Sequence, residues 1–202
     1  MKAETLLRVT ATCCLLVGLA PPAFAQQWQA KETVKPYAIA GTTGPELYES
    51  IGAKGPLIGG STRTIAHTTY DLKWSRKYEP QGDSCRLVSA KPFLTIIYTL
   101  PKPSAKLPPE AATRWKTFID GISAHEKVHG DYIREMVDTL IETTVGLTVA
   151  GDPACRKIKE DIKPLILAAG LAYQQKSREF DRVEMSKGAN VHSLILGLVN
   201  GR

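Results

Sequence analysis

His125-Glu126-Lys127-Val128-His129 (HEKVH) is the stretch on which the reading of this chain turns. Four residues are about 400° of helix rotation, so His125 and His129 leave one face of a helix a single turn apart. Two ring nitrogens can then meet one tetrahedral ion. Glu126 stands about 100° from His125, so its carboxylate reaches the ion's neighbourhood without binding it. There it can take a proton from a water at the metal and later give it to a leaving amine. This is the H-E-x-x-H arrangement of zinc hydrolases, and it requires a helix. The flanks supply one. Trp115, Phe118, Ile122, Val128, Tyr132, Met136 and Leu140, with the two histidines among them, recur at helical spacing. Pro108-Pro109 mark the start, and a helix is predicted from about Glu110 to about Val145.

Downstream, Gly146, Gly151 and Asp152-Pro153 predict a break, with Asp152 as N-cap and Pro153 as first helical residue. A second helix is expected to run to about Lys187, bent or broken near Pro164, with a stripe of Ile158, Ile162, Ile166, Ala169, Tyr173 and Phe180. The tail Val191 to Val199 is apolar enough to dock. Upstream, Pro101 to Pro109 closes a β-rich half. Ser61 to Arg76, rich in Thr, and Ser84 to Leu100, with Pro92 at an edge or bulge, read as strands joined by the turn at Glu79–Asp83. Lys35 to Ala40 reads as a short strand and Glu46 to Ile51 as a short helix. The expected fold is α+β: an N-terminal antiparallel β-sheet packed on two long C-terminal helices, the first carrying HExxH, in the manner of zincins.

The chain has 202 residues, 43% hydrophobic, with a formal charge of +6. That composition excludes disorder, a collagen-like repeat and a long coiled coil. Lys2 and Arg8, the apolar run Val9–Ala20 and Ala23-Phe24-Ala25 form a secretory signal peptide over residues 1–25, cleaved after Ala25. The run is about twelve residues, short of the roughly 20 that cross a bilayer. The expectation is a single domain over 26–202, periplasmic or secreted, with no stable membrane insertion. Cys85 and Cys155 remain after cleavage, and an oxidising compartment pairs them as a disulfide. The basic residues are dispersed without interleaved aromatics, which argues against nucleic acid as partner.

The chain resembles a bacterial family of predicted secreted zinc-dependent proteases, domain of unknown function 922. Three features carry the resemblance: the strand Thr68-Thr69-Tyr70-Asp71-Leu72-Lys73-Trp74, the strand near Cys85 ending in Thr99-Leu100-Pro101, and HEKVHGDY followed by Phe180-Asp181. Members often carry Thr and then His after the aromatic-Asp pair. Here Glu184 and Ser186 stand in those places. The expected gluzincin-like third ligand from the following helix is Glu184, which extends the inward stripe, with Asp181, which the resemblance favours, as the alternative; His67 and His192 are further options. The acid not used as ligand can hold a ring N–H of a ligating His. Asp131 and Asp138 are read mainly as solvated acids. Tyr173, Tyr132 and His192 are candidates to steady an oxyanion.

The expected activity is a zinc-dependent metallopeptidase with one Zn2+, held by His125, His129 and one acid, acting on a peptide or protein substrate with Glu126 as general base. A free edge of the Thr-rich sheet can hold that peptide as an added strand. The alternatives are a non-catalytic envelope binding protein with a structural or degenerate HExxH site, and a zinc amidase acting on cell wall.

Overall fold

The structure is a computed structural model that describes residues 28–201; the signal peptide expected over 1–25 lies outside the described residues. The elements follow in the order β1 (Lys31–Ile39), α1 (Gly44–Lys54), β2 (Leu57–Ile58), β3 (Thr62–Arg63), β4 (His67–Gln81), β5 (Ser84–Pro103), α2 (Pro109–Thr144), β6 (Thr148–Val149), α3 (Lys157–Glu184) and α4 (Asn190–Asn200). The fold is α+β, with a mixed sheet and four helices.

β4 and β5 form the long antiparallel hairpin that two alternating runs around a turn predict. Gly82 takes φ 63° in its two-residue loop, a conformation that favours glycine. Pro92 falls in a stretch of β5 that β4 alone pairs, where a missing N–H costs the ladder least. The expected antiparallel sheet is corrected on β5's other side. β1 runs parallel to β5, with Lys31 opposite Thr95 and Ile39 opposite Pro103. A parallel neighbour needs a long crossover, and here α1, β2, β3 and β4 intervene. Side-chain alternation within a strand carries no information on its direction.

α3 also departs from expectation. It begins at Lys157, so Asp152-Pro153 lies in the preceding turn. Asp152 still serves the helix start, accepting from the backbone N–H of Arg156 (2.7 Å) and of Ile158 (3.0 Å). The helix runs unbroken through Pro164, whose side is exposed, so water can satisfy the carbonyl it leaves unpaired. The tail is α4, anchored by buried Val191 and Leu198. A disulfide joins Cys85 on β5 to Cys155 in the turn before α3. Among the described residues no helix is long and apolar enough to cross a membrane.

α2 is the axis of the core. Its early turns place Phe118 and Ile122 in one apolar cluster with Ile39, Leu47, Val191 and Leu198. Its later turns place Ile133, Met136, Val137 and Leu140 against Leu94, Ile96 and Tyr98 of β5. His125-Glu126-Lys127-Val128-His129 spans the seam between them. The buried face is centred on His125, His129, Ile133 and Val137, while Val128 and Tyr132 sit half-buried on its flank.

Gly130 lets the sheet come close beneath His129. A methyl group there would stand 2.2 Å from the Tyr98 hydroxyl oxygen, which donates to Glu32 Oε1 at 3.1 Å. Burial, reinforced by the Glu32 charge, pushes the Tyr98 hydroxyl up to about 12. In an open helix Gly→Ala gains up to about 1 kcal/mol. Here overpacking of about 1–3 kcal/mol opposes it. Gly130→Ala is therefore expected to lower Tm by about 2–4 °C in thermal unfolding followed by circular dichroism. A raised Tm would show that Tyr98 yields without cost.

Candidate metal centre

Helical spacing on α2 points both imidazoles at the C-terminal turns of α3. His125 is 5% exposed, Glu126 6% and His129 8%, so all three side chains have left water. The two Nε2 atoms are 3.3 Å apart. Asp181 Oδ1 lies 3.1 Å from Nε2 of His125 and 2.9 Å from Nε2 of His129. These three residues each bring a donor atom within 4.8 Å of the others. A small tetrahedral cation with bonds of about 2.0–2.1 Å sets its ligands about 3.3–3.4 Å apart. The donor set, two neutral imidazole nitrogens and one carboxylate oxygen, and its spacing fit a metal ion.

The remaining side chains hold this triangle in place. The Phe180 ring stacks on His125 at 4.7 Å between centroids and meets the edge of His129 at 5.4 Å. Tyr132 packs edge-on against Phe180 at 5.9 Å. Glu184 does not join Asp181 at the Nε2 atoms. Its Oε2 stands behind His125, 3.8 Å from Nδ1, and accepts from Asn190 Nδ2 at 2.8 Å. The two acids are about 60° apart on α3, and the helix presents Asp181 to the centre while Glu184 faces the back of the ring. Among the described residues the buried His125 Nδ1 has no hydrogen-bond partner, so the nearby carboxylate offsets an otherwise solitary polar atom.

Glu126 is gripped from β4. The Thr68 hydroxyl lies 2.5 Å from Glu126 Oε2 and 3.1 Å from the Glu126 backbone carbonyl. Burial raises the Glu126 carboxyl above the ordinary range, against the Thr68 hydrogen bond and the charges of His129, His125 and His67. Burial works against a charged His125, but the Asp181 hydrogen bond and the charges of Glu126, Asp181 and Glu184 outweigh it, and the ring is raised. Burial would lift Asp181 as well; hydrogen bonds from His125 and His129, with their charges, hold it well below the usual carboxylate range.

A cavity of about 680 Å³ opens over these groups, between the 62–68 segment, α3 and the start of α4. His67, Tyr173 and His192 line it. Tyr132 instead sits under Phe180 and Lys176. Asp131 pairs with Arg134, and Asp138 accepts from Trp28 Nε1, so neither faces the centre. The sequence reading assigned no role to Thr68. Only strand parity, with Thr68 inward and Thr69 outward, separates it from its neighbours.

No curated protein and no solved structure matches this chain. A family model described as "Bacterial protein of unknown function (DUF922)" matches residues 34–188, a span that holds His125, Glu126, His129, Asp181 and Glu184 and stops short of His192. The chain belongs to that bacterial family of unknown function, DUF922.

Proposed function

We propose that this protein is a zinc-dependent metallopeptidase, acting on peptide or protein substrates after export to the periplasm or the medium. The observation that carries the reading is the convergence of His125 Nε2, His129 Nε2 and Asp181 Oδ1 beside a buried Glu126 that is not one of the ligands. Zinc bound there supplies Lewis acidity toward a water and the scissile carbonyl. The rest of the chemistry belongs to the chain. Thr68 fixes Glu126 Oε2, which leaves Oε1 to accept a proton from the attacking water and to return it to the leaving amine nitrogen. A carboxyl raised by burial is a stronger base, better matched to that transfer. Phe180, stacked on it, fixes the plane of the His125 ring, and the Glu184 carboxylate places negative charge 3.8 Å from its Nδ1. Among the described residues β4 is an edge strand, and its outer side offers backbone partners to an extended peptide beside Thr68.

The test is metal content joined to hydrolysis of an unfolded protein. We expect one zinc per chain in the wild type, none retained by Asp181→Ala after dialysis, and one retained by Glu184→Gln with affinity about tenfold lower. Hydrolysis should stop with a chelator and return with zinc. Substoichiometric zinc in the wild type, or hydrolysis indifferent to chelation, would remove the reading. Digestion of peptidoglycan but not of protein would move the activity to a cell-wall amidase.

A further inference from the structure

α4 runs back along α2 from the metal centre. At its start Asn190 bonds Glu184, which stands behind His125. One turn on, Leu194 presses against Gly121, one turn before His125 on α2; a methyl group on Gly121 would lie 2.4 Å from Leu194 Cδ1. His192 sits between these two anchors and lines the same cavity as His125, His129 and Asp181. Its Nδ1 accepts a hydrogen bond from the Gly188 backbone N–H at 3.1 Å. A nitrogen that accepts carries no proton, so the neutral ring holds its proton on Nε2. Gly188 adopts φ 83°, which bends the chain so that its N–H meets the ring. The hydrogen bond that His192 makes among the described residues is through Nδ1, not Nε2. The corner between α3 and α4 thus fixes one tautomer of a ring that lines the cavity.

We propose that His192 is a catalytic residue of the hydrolysis, donating a hydrogen bond from Nε2–H to the oxygen of the scissile carbonyl as negative charge develops there. The inference rests on the peptidase reading. Nothing is transferred from His192; the ring keeps its proton while water adds to the carbonyl carbon, the C–N bond breaks and Glu126 moves the proton. A preset donor aimed at developing charge acts in the transition state more than in the ground state, so it affects kcat more than KM.

Two substitutions separate this role from the corner's architecture. In His192→Asn the side-chain carbonyl can still accept from Gly188 N–H, but the distal donor is gone. In His192→Gln an amide N–H reaches about as far as Nε2. With the zinc-loaded protein and a peptide substrate, we expect His192→Ala and His192→Asn each to lower kcat about 10²-fold. KM should stay within about threefold and zinc content unchanged, and His192→Gln should recover about tenfold of the loss. Nitrogen-15 spectra of the wild-type imidazoles should show His192 as the Nε2–H tautomer, whatever the activity. Wild-type kcat in His192→Asn, or an Nδ1–H tautomer, overturns the inference and leaves the peptidase reading standing. A zinc-loaded wild type without peptidase activity overturns both.

Discussion

Glu126→Gln is expected to lower kcat on an unfolded protein substrate by about 10²- to 10⁴-fold, with one zinc still bound and KM little changed. The substitution keeps the shape of the side chain. Its amide oxygen can still receive the Thr68 hydroxyl, now 2.5 Å from Oε2, so the group stays in place in its buried slot. What vanishes is a basic oxygen at the Oε1 position. Because the amide neither takes a proton from water nor returns one to nitrogen, the loss falls on the transition state alone. Burst kinetics and steady-state rates on the zinc-loaded variant make the measurement. Wild-type turnover would assign proton transfer to another group.

Breaking the Cys85–Cys155 bridge is expected to remove about 4 kcal/mol, a large fraction of the stability of a typical domain. The bond closes a loop of sequence separation 70. Around it lies the smallest of the apolar clusters: Leu87 and Ile158, with Tyr78, Leu147 and Val149 at its margin. Cys155 holds φ 52°, a left-handed conformation that a side chain disfavours once the bond is gone. The bridge also anchors the start of α3, the helix whose far end supplies Asp181. Cys85→Ser with Cys155→Ser should therefore lower the urea midpoint steeply and weaken zinc binding as well. Equal midpoints for oxidised and reduced protein would show that the clusters suffice.

What the sequence discloses follows the range of the interactions involved. Helical periodicity around His125 and His129 predicts α2 to within a residue or so of its bounds, because side chains a turn apart report directly on one face. The hairpin is legible for a similar reason: Gly82-Asp83 is local turn chemistry. The two cysteines of the described residues predict their own pairing. Other features depend on how distant elements meet. Whether Asp181 or Glu184 faces the imidazoles depends on how α3 crosses α2, and about 60° of rotation separates the two answers. Thr68 acquires its role only because β4 crosses beneath Glu126. The direction of β1 depends on a strand far along the chain.

Among the described residues β1 pairs with β5 alone, and Lys31 meets Thr95. At about 5–20 residues per second, a ribosome takes roughly three to thirteen seconds to synthesise the intervening chain. For that interval the nascent segment has no native partner and is open to adhesion with other chains. Its composition answers the hazard: Lys31, Glu32, Lys35 and Pro36 lie along it, and charge and proline are what discourage one bare strand from sticking to another. β1 is an edge strand made well before the strand it pairs with.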